Sequence, residues 1–142
     1  MTPLEGLIAR INRAGNINDP ATPRPLVTLE EFFEGNSDYG SIGYNFAPDQ
    51  PAPAEFYELF KRIRRRPEVA DVRIQVSQHE IPDEWPSSDT AWIITRASPE
   101  EVATWLGERF RPDEIIVGWP SAWPVESCGV PPGMQAIGVW WD

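Results

Sequence analysis

The sequence is poor in the residues on which most protein chemistry is built. It has one cysteine, Cys128, one histidine, His79, and one lysine, Lys61. A lone cysteine excludes an internal disulfide and the paired-thiol zinc patterns, and it fits a reducing compartment. A lone histidine excludes the paired-histidine zinc motif, because Asp83 stands where the second histidine after His79-Glu80 is required. No stretch approaches the roughly 18 consecutive apolar residues of a membrane span, and Met1 to Gly15 lacks the basic-then-apolar order of a signal peptide. The expectation is a cytoplasmic protein with no membrane partner. Positive charge is also scarce. The net charge of −10 repels phosphate backbones, so nucleic acid is not an expected partner, whereas a basic protein surface is attracted and steered.

Cofactor fingerprints are missing as well. Gly35, Gly40 and Gly43 punctuate one stretch, but no Gly-Lys-Ser/Thr triplet follows and no helix opens directly after them, so no nucleotide, metal or other cofactor is expected. Turn geometry accounts for those glycines.

What is present suits a single folded domain. The 142 residues, 41% hydrophobic and 24% charged, are enough to bury a core. Leu4, Leu7, Ile8 and Ile11 recur at helical spacing, and the proline-rich run 16–25 reads as a linker, which divides the chain into an N-terminal helix with linker (1–25) and an α+β domain (26–142). Thr28 and Glu31 form a capping box flanked by Val27 and Phe32, predicting a short helix over 29–34. Ser41 to Phe46 alternates apolar with small or polar residues, as a first strand does. A helix opening near Pro53 carries Phe56, Leu59, Phe60 and Ile63 on one stripe and ends before Pro67. Val72, Ile74 and Val76 alternate as a second strand, while Ala91 to Ile94 is apolar on both faces, as a central strand is. Ser98-Pro99-Glu100-Glu101 caps a helix carrying Val102, Trp105, Leu106 and Phe110. Ile115 to Val117 and Ile137 to Trp141 complete the strands. From Ser41 onward this order predicts a ferredoxin-like βαββαβ antiparallel sheet, with two helices on one face, an appended C-terminal strand and short N-terminal helices.

Two sets of residues are candidates for function. For catalysis, His79 with Glu80, Asp83 and Asp89 forms the only imidazole-carboxylate grouping, suited to general-base work in a hydrolase or transferase. Cys128 is a minimal thiol candidate, otherwise a small apolar loop residue. For binding, seven tryptophans stand out. Trp105 belongs to the core by its spacing, and Trp140 and Trp141, adjacent in a strand, point to opposite faces. Trp85, Trp92, Trp119, Trp123 and Trp140, with Arg73, are the candidate contact residues of a pocket or interface. The loop 119–134 is alternatively a cover for the far face of the sheet, and a homodimer burying that face is a further possibility. Lys61, Arg62, Arg64, Arg65 and Arg66 cluster at one helix C-terminus, where they complement the helix dipole or bind an anion.

The stretch from Val27 to Asn36, continuing through Gly40, Ser41, Ile42 and Gly43, together with Trp85-Pro86, Ser88-Asp89-Thr90, Trp92-Ile93-Ile94-Thr95 and the closing Trp140-Trp141-Asp142, resembles a family of uncharacterised bacterial proteins of similar length. That resemblance implies a bacterial origin and brings no activity or catalytic residue. In type rather than motif, a small, acidic, tryptophan-rich domain is similar to the bacterial immunity proteins, which cover a toxin's active surface. The function expected is therefore a non-catalytic binding protein, with a basic partner or a second copy of itself, and the small enzyme around His79 is the alternative.

Overall fold

Thr2 opens the first helix because its hydroxyl accepts the Glu5 N–H at 3.1 Å while the Glu5 carboxylate returns to the Thr2 hydroxyl at 3.0 Å. The computed structural model describes residues 1–46 and 48–142. Helix α1 spans Pro3–Asn12 and buries Leu7 and Ile11. The proline-rich run that follows is held by Arg24, whose guanidinium donates to the carbonyls of Ile17, Asp19 and Thr22 at 2.7–2.9 Å. Ile17, Leu7 and Ile11 all join the main core, so residues 1–25 pack with the remainder.

Strand β1, Leu26–Thr28, runs straight into helix α2, Leu29–Phe33. Thr28 serves both elements, as last residue of the strand and as helix cap, accepting the Glu31 N–H at 3.0 Å while the Glu31 carboxylate accepts its own N–H at 2.9 Å. Helix α3 is Pro53–Arg64, strand β2 Val69–Gln75, strand β3 Thr90–Thr95, helix α4 Pro99–Leu106, strand β4 Glu114–Val117 and strand β5 Gln135–Trp140. Helix α4 stops at Leu106, short of Phe110, because Gly107 takes a positive φ. Phe110 reaches the core from the turn beyond.

The five strands form one sheet in the order β1-β2-β3-β5-β4, each pair antiparallel. This corrects the expected ferredoxin-like arrangement. In that fold a strand and the next one reached through a helix are separated by an intervening strand, whereas here β1 lies directly against β2 with Val27 opposite Ile74. The expected first strand, 41–46, is a turn. Gly40 and Gly43 both adopt positive φ, 90° and 63°, which breaks an extended run, and only Ile42 makes a bridge, parallel to Ser88. At Gly43 a Cβ would also stand 2.8 Å from the rings of Phe46 and Phe56.

The four described helices cover the same face. Leu7, Phe32, Phe56, Phe60, Val102 and Leu106 meet Val72, Ile74, Ile93, Ile137 and Val139 in the main core. Trp141 enters this layer too, its indole donating to Phe110 O at 3.0 Å, while the adjacent Trp140 stays half-buried. The opposite face carries Leu26, Trp92, Ile94 and Ala136, covered by Trp123, Val125, Cys128 and Met134 of the 119–134 loop. That loop is therefore a packed cover. Gly138 makes room beneath it: a Cβ there would stand 2.9 Å from the Trp92 ring.

Candidate functional site

A cleft opens where two loops leave the sheet. Residues 36–44 follow α2, and residues 77–89 connect β2 to β3. The second loop is pinched at its base, Ser77 N–H donating to Ser87 O at 2.8 Å and Ser87 N–H to Gln78 O at 2.8 Å. The two loops are joined by Ser88 N–H donating to Ser41 O at 2.7 Å. Inside the first loop, Asn36 fixes the turn by donating its amide to Ser41 Oγ at 2.9 Å and accepting the Asp38 N–H at 2.9 Å. These bonds make both walls of the cleft from ordered backbone.

The cleft has a volume of about 860 Å³ and is walled by Asp38, Glu80, Glu84, Asp89 and Asp142, with Tyr39, Tyr44 and Trp85 supplying aromatic surface. No lysine or arginine occurs among its described lining residues. Asp89 is the most firmly held of these acids. Its Oδ1 accepts hydrogen bonds from Ser77 Oγ and Thr90 Oγ1, both at 2.8 Å, and its backbone carbonyl accepts the Trp141 N–H at 2.9 Å. Trp85 is held by its indole N–H, which donates to Phe32 O at 3.0 Å, leaving the ring half-buried.

The structure brings His79, Glu80 and Asp89 to this one cleft and leaves Asp83 exposed outside its lining, where Glu84 takes part instead. His79 Nε2 is enclosed by protein and has no hydrogen-bond partner among the described residues. Among the described residues no cluster of three or more histidine, cysteine or acidic side chains is arranged to hold a metal.

The candidate tryptophans do not form one surface. Trp92 is fully buried, its indole donating to Gln75 Oε1 at 2.9 Å, and Trp119 lies against it with ring centroids 4.8 Å apart. Trp123 packs on the covered face, and Trp85 alone of the five lines the cleft. Trp105 is half-buried against the core, with the Arg66 guanidinium over its ring at 4.5 Å. Arg73 is held by Asp71, Nε to Oδ2 at 2.7 Å, beneath the loop. Cys128 does not line the cleft, and burial pushes its thiol above the usual range, away from the nucleophilic thiolate. Of the basic cluster on α3, Arg64 pairs with Glu30 at 2.7 Å and Lys61 with Glu58 at 2.7 Å. With Arg66 over Trp105, three of the five cluster residues are engaged in contacts within the chain.

A second arrangement, missed from sequence, clamps the cover loop. Glu126 receives Arg10 Nη2 at 2.6 Å and the Leu26 N–H at 2.9 Å, while its backbone N–H donates to Arg24 O at 3.0 Å. Burial pushes this carboxyl up, but the bonds from Arg10 and Leu26 outweigh it and hold the group below the usual carboxylate range.

A family described as "Uncharacterized protein YfbO family" matches residues 2–139. The chain belongs to the YfbO family. It is 43% identical over 142 residues to the Escherichia coli (strain K12) protein described as "Uncharacterized protein YfbO", covering all of both chains. The expectation of an uncharacterised bacterial family is met at that level. No solved structure matches the chain. No described helix is long and apolar enough to cross a membrane.

Proposed function

We propose that this YfbO-family chain is a non-catalytic binding protein whose acidic cleft receives the cationic side chains of a basic protein partner. The observation that carries the reading is the composition of the cleft: five carboxylate residues and four tyrosine or tryptophan residues line about 860 Å³ without a lysine or arginine among the described lining residues. Carboxylates supply charge and hydrogen-bond acceptors for ammonium or guanidinium groups, and aromatic faces attract the same cations. Asp89, already oriented by two hydroxyls, loses little side-chain freedom on binding. The net charge of −10 steers a basic surface towards the site. An immunity-type role, covering the basic active surface of a toxin, is one form of this function.

The enclosure of His79 Nε2 weighs against general-base work by that nitrogen. The enzymatic alternative rests on one observation, the shared presence of His79, Glu80 and Asp89 along the cleft. It requires that His79→Ala abolish a reaction while leaving peptide binding intact.

The test is calorimetric titration with an arginine-rich peptide and an acidic peptide of equal length. Binding of the basic peptide alone, weakened by salt and reduced about tenfold or more in Asp89→Asn, is the expected result. Equal binding of both peptides, or an Asp89→Asn variant that binds as the wild type does, contradicts the reading.

A further inference from the structure

The two edges of the sheet are finished differently. At β1 the chain closes its own edge: Val125 forms a parallel bridge with Arg24, whose N–H donates to Pro124 O at 2.9 Å. At β4 no described strand pairs with the outer side. The ladder with β5 settles which backbone groups face outward there. Gly118 N–H donates to Ala136 O at 2.8 Å, and Ile116 and Glu114 stand in step with it opposite Gly138 and Trp140. By the alternation of an antiparallel ladder, Ile115 and Val117 turn their N–H and C=O groups away from β5.

We propose that this edge pairs with the same edge of a second copy of the chain, antiparallel about a two-fold axis beside Ile116, so that two sheets continue into one. In that register Ile115 of one copy stands opposite Val117 of the other, and every outward N–H and C=O of these two residues finds a partner. Ile116 meets its symmetry mate. Glu114 falls opposite Gly118, so the strand's one charge faces no like charge across the pair. A two-fold interface requires such self-complementarity, and what favours a second copy is that in this register the apolar Ile115, Ile116 and Val117 meet one another. Apolar surface is also left uncovered at this edge, with Val117 56% and Trp119 37% exposed. Pro112 and Pro120 confine the pairing to the residues between them. So short a seam buries less than a standard interface, and the dimer is weak and concentration-dependent. Two copies each carrying −10 repel one another, and salt therefore strengthens the association. Salt acts with the opposite sign on the binding of a basic partner in the cleft.

Sedimentation equilibrium of the full chain, up to about 1 mM and at two salt concentrations, tests this directly, with Val117→Lys and Val117→Pro alongside. Both substitutions spoil the outer edge, and the proline removes an N–H that β5 does not use. The wild type is expected to dimerise with a Kd between about 10 µM and 1 mM, more tightly at the higher salt, and each variant that retains the wild-type circular dichroism to associate at least about tenfold less. A wild type that stays monomeric at about 1 mM overturns the proposal. So does undiminished association of a folded Val117→Lys protein, which remains decisive even if the proline variant does not fold.

Discussion

Gly43 carries two constraints at once, a φ of 63° and a Cβ position 2.8 Å from two phenyl rings, one of them the fully buried Phe56. Gly43→Ala is therefore expected to cost about 1–3 kcal/mol, read as a lower urea midpoint at unchanged slope. The same alternation that suggests a strand from Ser41 to Phe46 is produced here by a glycine turn, since apolar residues at even spacing also arise where a loop dips into the core at Ile42. Glu126 gives a second prediction at this scale. Because its folded carboxyl lies below the usual range, it contributes stability at neutral pH that is present above the ordinary carboxylate pKa of about 4.3 and lost as pH falls through the lower folded value. Glu126→Gln should remove part of that acid-limb dependence in a series of denaturation curves from pH 7 to about 3. An acid limb identical to the wild type's contradicts the assignment.

The helices were legible at the level of elements because their signals are local. Thr2, Thr28 and Ser98 each cap a helix through an acid three residues on, and Pro53 and Pro99 mark first turns. Strand β1 was not legible. Three residues are too few to show a period, and Thr28 speaks more plainly as a cap than as a strand end. Strand order was hidden for a different reason, since it depends on which edges meet in space. The cover loop shows how little composition says about exposure. Trp92 fills the space left by Gly138, with Trp119 and Trp123 above it, so tryptophans that read as free contact surface are mostly packing. Trp92→Ala should cost about 3–5 kcal/mol and raise exposure of the 119–134 loop to proteolysis, because the loop loses the ring it rests on.

For the whole molecule, the segregation of charge matters more than its total. Arginines are used elsewhere than at the cleft: Arg10 on the cover loop, Arg24 on the proline-rich turn, Arg64 on α2 and Arg73 on Asp71. The acids along 77–89 remain to define one concave, negative surface. Half of that site was visible in sequence, since His79, Glu80, Asp89 and Trp85 lie in one segment. The opposing wall, Asp38 to Tyr44, is tied to it by the bond from Ser88 to Ser41, which no spacing announces. Heteronuclear NMR titration with an arginine-rich peptide separates this site from the cover loop in one experiment. The amides of 38–44 and 77–89 and the Trp85 indole are predicted to shift together, at saturable peptide concentration, while the Trp119 and Trp123 indoles hold still. Shifts confined to Trp119 and Trp123, or scattered over the surface without saturation, would contradict a binding role for the cleft.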